Sequence, residues 1–211
     1  MNYNISADVF QDPFPHIIFH NFYDEYELKL IWEELDFYTR DGKLFDAEEF
    51  GGITNKTNSK AIWLDKVFVN KYRNLSNILK VNRKLFDSAV LDAFSTTHDC
   101  CSIAKFCNYD TTKVRYYHDG DYYEPHTDRT VQFLGFSYFY REPKKFEGGE
   151  LFFPKYDYSF KCDNNSLIIF PGWVEHGVSK VSIADSDYYE GFGRYAITSF
   201  FGLQDRRKET E

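Results

Sequence analysis

From residue 102 onward, short apolar or alternating runs follow one another at close spacing, each ended by turn-forming residues. Strands are expected at 102–108, 113–117, 131–140, 149–153, 166–170, 177–181 and 194–201, punctuated by Asp119-Gly120, Gly148-Gly149, Pro154 and Pro171-Gly172. Many short strands so spaced need a second layer to bury their inner faces, which points to a β-sandwich or barrel. Aromatics make up 20% of the chain, with 17 Tyr and 22 Phe, and such side chains pack well on pleated surfaces.

The first half reads differently. Asp12-Pro13-Phe14-Pro15 is a stiff extended lead-in, and 16–22 (HIIFHNF) reads as a first strand. Asp24 and Glu27 have capping-box spacing. Leu28, Ile31, Trp32 and Leu35 then repeat at helical spacing, so an amphipathic helix is expected over 24–38. Residues 41–60 are polar and contain three glycines, too long for a tight turn and too polar for a core. A strand follows at 61–65, and 68–94 carries two helical periods, a helix pair or one bent helix. No repeat or linker divides the chain. The expectation is therefore one domain over 1–211, mainly β with flanking α-helices: helical support over about 1–98 and a β core over about 99–203.

The formal net charge of −8 speaks against broad electrostatic binding of nucleic acid. No run of 18 apolar residues offers a membrane span. The N-terminus lacks the basic-then-apolar pattern of a signal peptide, so a cytoplasmic location is expected. Cys100, Cys101, Cys107 and Cys162 are expected to stay reduced, and no partner has zinc-finger spacing.

The chemistry centres on Tyr117 to Asp128, YHDGDYYEPHTD. Two apart on an extended segment, His126 and Asp128 point to one face. His176, in FPGWVEHGV, is the natural third ligand. Two histidines and one carboxylate with open positions make the facial triad of non-haem Fe(II) oxygenases. Arg194 opens the apolar strand RYAITSFF, and a buried Arg there needs an anion such as a dicarboxylate.

These motifs resemble the 2-oxoglutarate- and Fe(II)-dependent dioxygenases, in particular the prolyl 4-hydroxylase-like branch. The resemblance rests on Tyr117, Gly120, Tyr122, Tyr123, Pro125, His126 and Asp128, then Gly148-Gly149-Glu150 with Phe153-Pro154, then Phe170, Pro171, Trp173 and His176. It runs from about Ser59 to the last strand. It implies a double-stranded β-helix, or jelly roll, with iron held by His126, Asp128 and His176. It also implies 2-oxoglutarate and O₂ as cosubstrates, with ascorbate as a candidate accessory. Arg194 matches the base that pairs with the distal carboxylate of 2-oxoglutarate. Tyr117 matches a pocket tyrosine, although a one-residue shift would put Tyr116 there. Thr198 shares the Arg194 face and is a further candidate for the same carboxylate.

Two departures stand out. The stretch ADSDYYEGFG lengthens the gap between His176 and Arg194, which leaves Lys180 as an alternative cation. The tyrosine that some relatives place against the cosubstrate aligns near Phe139, between Tyr138 and Tyr140. The expected reaction is hydroxylation of an unactivated C–H, with a prolyl residue of a peptide or protein as the favoured substrate and succinate and CO₂ released. Another amino-acid side chain, a small metabolite, a nucleic acid, or a non-enzymatic cupin-like metal module are the alternatives.

Overall fold

The computed structural model describes residues 5–40, 42–46, 49, 57 and 59–204. In chain order its strands are β1 (Ser6–Phe10), β2 (His16–His20), β3 (Lys60–Trp63), β4 (Tyr109–Tyr117), β5 (Tyr123–His126), β6 (Phe133–Phe139), β7 (Phe146–Gly148), β8 (Leu151–Phe153), β9 (Tyr158–Phe160), β10 (Ser166–Pro171), β11 (His176–Val178), β12 (Val181–Ile183) and β13 (Arg194–Gly202). Seven form one sheet in the order β1-β2-β10-β6-β13-β4-β3, and four form a second, β5-β11-β8-β9. The strand pair β12-β7 stands apart.

The two larger sheets face each other, as ring contacts across the gap show. Phe153 of β8 meets Phe170 of β10 at 5.2 Å, and Phe160 of β9 meets Tyr138 of β6 at 5.7 Å. The interior strands β6 and β10 are buried along their whole length, as strands covered on both faces must be. This is the jelly-roll arrangement, with helices covering the back of the larger sheet.

The helix Glu25–Arg40 begins with the expected box: Asp24 Oδ1 accepts from the Glu27 N–H, and Glu27 Oε2 accepts from the Asp24 N–H, both at 2.8 Å. Its buried Glu34 ties it to the next helical layer, accepting from Ser76 Oγ at 2.8 Å and Ile78 N at 2.7 Å. The stretch 68–94 is a run of short pieces: a 3₁₀ turn Asn70–Leu75, the helix Asn77–Val81, a second 3₁₀ turn Asn82–Phe86 and the helix Ser88–Ser95. Asn82 joins this layer to the sheet. Its amide donates to Ser199 Oγ at 2.6 Å and Thr112 Oγ1 at 3.2 Å, and its carbonyl accepts from Tyr23 OH at 3.1 Å.

Several expectations are corrected. The strand expected at 102–108 is a 3₁₀ segment, Asp99–Phe106. Cys101 and Ala104, three apart, are both fully buried, as the three-residue repeat of a 3₁₀ turn requires. The strand expected at 61–65 stops at Trp63, where the helix Leu64–Val67 starts. The strand expected at 177–181 is two strands in different sheets, β11 and β12. Before the 12–15 lead-in lies a strand not expected from the sequence, β1, exposed at all five positions, whose pairing to β2 leaves no burial pattern to read. The extra stretch before Arg194 holds a short helix, Asp185–Tyr189, and stacks Tyr188 on Tyr116 at 4.5 Å. Much of the 41–60 loop lies outside the described residues. Its ends are anchored by the bridges Phe45–Ala61 and Thr57–Tyr123. Among the described residues no helix is long and apolar enough to cross a membrane, and all four cysteines are free thiols.

Candidate active site

Antiparallel pairing of β11 with β5 sets His176 directly opposite His126, with ring centres 4.5 Å apart. Asp128 follows two residues after His126, and its backbone N–H donates to the Gly172 carbonyl at 2.9 Å. A Cβ on Gly172 would stand 2.7 Å from the Asp128 carbonyl oxygen and 2.6 Å from that of Val131, so the Pro171-Gly172 turn needs its glycine to approach this loop.

Asp128 Oδ2 lies 3.7 Å from His126 Nε2 and 3.6 Å from His176 Nε2. All three donor atoms fall within 4.8 Å of one another. Among the described residues this is the only cluster of three His, Cys, Asp or Glu side chains so placed. Both imidazoles are held by their other nitrogen. His126 Nδ1 donates to the Glu124 carbonyl at 2.9 Å, and His176 Nδ1 donates to that of Val174 at 3.0 Å. Such bonds fix the tautomer that presents Nε2 as a metal ligand. His176 Nε2 is buried without a hydrogen-bond partner. Burial, reinforced by the neighbouring His126, pushes the His176 imidazole down to about 3, so it is neutral at physiological pH. Burial raises the Asp128 carboxyl, opposed by His126, Lys113 and Arg115. A buried carboxylate and an orphaned imidazole nitrogen are what a divalent cation would satisfy, and the donor set suits non-haem iron.

A second orphaned group lies near by. Arg194 is 1% exposed, and its Nη1 has no hydrogen-bond partner. Nε donates to the Gly149 carbonyl at 2.7 Å, and Nη2 meets Cys162 Sγ at 3.8 Å. The guanidinium stacks on Tyr117 at 4.4 Å and Tyr138 at 4.9 Å. The Tyr138 hydroxyl is likewise buried without a partner. An unpaired cation beside an unpaired hydroxyl fits a carboxylate.

A cavity of about 430 Å³ opens between the sheets, and His126, Asp128 and His176 line it. Tyr117 and Thr198 line it too, whereas Arg194 lies behind Tyr117 rather than on the wall. Tyr116 points to the opposite face, where its hydroxyl donates to the Tyr188 carbonyl at 2.5 Å. Lys180 is exposed, 5.9 Å over the Tyr122 ring, so it does not replace Arg194. Position 138, not 139, meets Arg194. Phe139 faces away and packs on Tyr23 and Trp32. Sequence reasoning also missed Lys113 and Arg115, although β4 alternates Thr111, Lys113, Arg115 and Tyr117 into the cavity.

Residues 112–202 match the model of the 2OG-Fe(II) oxygenase superfamily. No curated protein sequence matches. Solved structures with the same fold include a prolyl-4-hydroxylase from Pseudomonas putida, 15% identical over 94% of this chain and 92% of that one, with a TM-score of 0.54. The viral collagen prolyl hydroxylase of Paramecium Bursaria Chlorella virus-1, solved with 2OG, is 15% identical over 89% and 96%, TM-score 0.51. A Trichoplax adhaerens prolyl hydroxylase, solved with a hypoxia inducible factor peptide fragment, is 15% identical over 88% and 82%, TM-score 0.58. The superfamily match contains His126, Asp128, His176 and Arg194, and the chain is similar over that stretch to the 2OG-Fe(II) oxygenases and shares the fold of the prolyl hydroxylases.

Proposed function

We propose that this protein hydroxylates an unactivated C–H bond, foremost in a prolyl residue of a peptide or protein, as one domain over residues 1–211. The observation that carries the site assignment is the set of buried atoms without hydrogen-bond partners: His176 Nε2 at one end, Arg194 Nη1 and the Tyr138 hydroxyl at the other. A metal on the first and a carboxylate on the other two account for all three. His126, Asp128 and His176 would hold Fe(II), which when bound with 2-oxoglutarate and O₂ supplies the oxidising chemistry.

The chain's own residues do the rest. Arg194 and Tyr138 would hold the distal carboxylate of 2-oxoglutarate, with Tyr117 and Thr198 shaping its pocket. Tyr123 stacks on the His126 ring at 4.0 Å and keeps that ligand oriented. Phe136 and Phe170 close on His176 at 5.5 Å and 5.2 Å, excluding water behind the metal site. The peptide preference is supported by the fold shared with prolyl hydroxylases. A cavity of about 430 Å³ also suits a free amino acid or small metabolite, as a second reading.

The test is succinate formation with Fe(II), 2-oxoglutarate and ascorbate (to keep the iron ferrous), with and without proline-containing peptides. Peptide-stimulated succinate, the mass gain of one oxygen on proline, and loss of both in His126→Ala are expected. Oxygen added to a free amino acid instead would select the second reading.

A further inference from the structure

Among the groups around Arg194 is a cysteine whose backbone would suit a glycine. Cys162 has a φ of +59°, in the left-handed region that L side chains rarely adopt, and it is 5% exposed. Its thiol faces the Phe160 carbonyl at 3.3 Å and the Gly149 carbonyl at 3.5 Å, and Arg194 Nη2 donates to the sulfur at 3.8 Å. The Tyr138 hydroxyl neighbours the same sulfur. Burial raises the thiol against the opposing pull of Arg194, so it stays protonated and lends the guanidinium no negative charge. Glycine would adopt this backbone more readily, so what the side chain adds at 162 is a sulfur beside Arg194.

The direction of the pocket can be read along β6. Phe136 packs on His176 with ring centres 5.5 Å apart, and Tyr138, two residues on and on the same face, stacks on Arg194 at 4.9 Å. The Phe136 and Tyr138 rings lie nearly parallel, 6.4 Å apart. A ligand running from His176 to Arg194 therefore advances by one repeat of the strand, about 7 Å, which is the reach of a short diacid. At the far end the guanidinium is already engaged: Nε by Gly149, Nη2 by Cys162, and its faces by Tyr117 and Tyr138. Nη1 is the nitrogen left without a partner.

Resting on the functional reading above, we propose that Cys162 is a specificity-determining residue for the cosubstrate. Its side chain fills the space beside the guanidinium that a longer acid would need, and so sets the chain length of the 2-oxo diacid that reaches Nη1. Oxaloacetate, one methylene shorter than 2-oxoglutarate, falls short of Nη1. The homologue 2-oxoadipate, one methylene longer, meets the sulfur. One missing or extra methylene in a closed pocket is worth about 10-fold or more in discrimination.

Titration calorimetry on the anaerobic Fe(II)-loaded protein compares the three acids. The unaltered protein is expected to bind 2-oxoglutarate at least about 10-fold more tightly than either homologue. In Cys162→Gly, 2-oxoadipate is expected to gain affinity and 2-oxoglutarate to lose it, so that their ratio falls at least about 10-fold. Cys162→Ser keeps an atom in the place of the sulfur and should retain most of the ratio. Melting curves report folding, and Cys162→Ala makes the same comparison should the glycine variant not fold. An unchanged ratio on removal of the sulfur, even with all three acids weakened together, overturns the proposal and leaves Cys162 a residue that only positions Arg194. Equal binding of 2-oxoglutarate and 2-oxoadipate by the unaltered protein overturns it too. Binding of none of the three by the unaltered protein would instead defeat the functional reading on which the proposal rests.

Discussion

Arg194 Nε donates to the carbonyl of Gly149 at 2.7 Å, which aims its remaining guanidinium nitrogens toward Tyr138 and Cys162. The contact depends on Gly149. Its φ is +75°, and a Cβ there would stand 2.5 Å from Arg194 Cδ. Gly149→Ala is therefore expected to displace the guanidinium, raising the KM for 2-oxoglutarate about 10-fold or more, the loss of about one charge-assisted hydrogen bond. Metal content should be unchanged. Arg194→Met should weaken 2-oxoglutarate at least as much. Calorimetry with 2-oxoglutarate on the metal-loaded protein checks both.

Metal removal should lower stability as well as activity. Any ligand that binds only the folded state adds about 2.7 kcal/mol at 100 times its Kd. A chelator is thus expected to lower the melting temperature by several degrees, and Fe(II) or an inert divalent substitute should restore it. His176→Ala and Asp128→Ala should abolish this metal-dependent shift. A melting curve of either variant that still moves with metal would place the metal elsewhere.

Strand spacing pointed to a sandwich or barrel, and the family resemblance named the jelly roll and gathered His126, Asp128, His176 and Arg194 as one candidate site. The reason is physical: β11 and β5 are short, so the pairing that brings both histidines together also fixes most of the site. What was not legible depends on tertiary contact. Strand parity alone left Tyr138 unchosen beside Phe139 and Tyr140, and only the stacking on Arg194 selects it. Lys113 and Arg115 read as ordinary polar positions on a strand until the opposite sheet encloses them. The 99–106 segment carries a strand-like composition, yet its burial repeats every three residues, a pattern the chain shows only once packed.

The Asn82 network is a separate, structural prediction. Its amide satisfies Ser199 and Thr112 of the sheet and the Tyr23 hydroxyl, which also meets Ser137 at 3.2 Å. Asn82→Ala leaves several buried polar groups short of a partner. A cost of about 2–3 kcal/mol is expected. Urea denaturation should show a lowered midpoint with an unchanged slope, and metal affinity should not move.

Lys113 makes the stability of the fold depend on pH. Burial, then the like charge of Arg115, pushes its amine from 10.5 down to about 6, only partly offset by Asp128. The folded protein therefore binds fewer protons there than the unfolded chain between about pH 6 and pH 10.5. Stability must then rise with pH across that window, and the cost of the buried amine is fully present below about 6. Lys113→Met removes the cost. It is expected to be more stable than the unaltered protein by about 1–2 kcal/mol at pH 6, with the gap narrowing as pH approaches 10. Denaturant midpoints of the metal-free proteins measured from pH 6 to 10 test this. A gap that is constant or widens with pH would mean that Lys113 keeps its proton in the folded state.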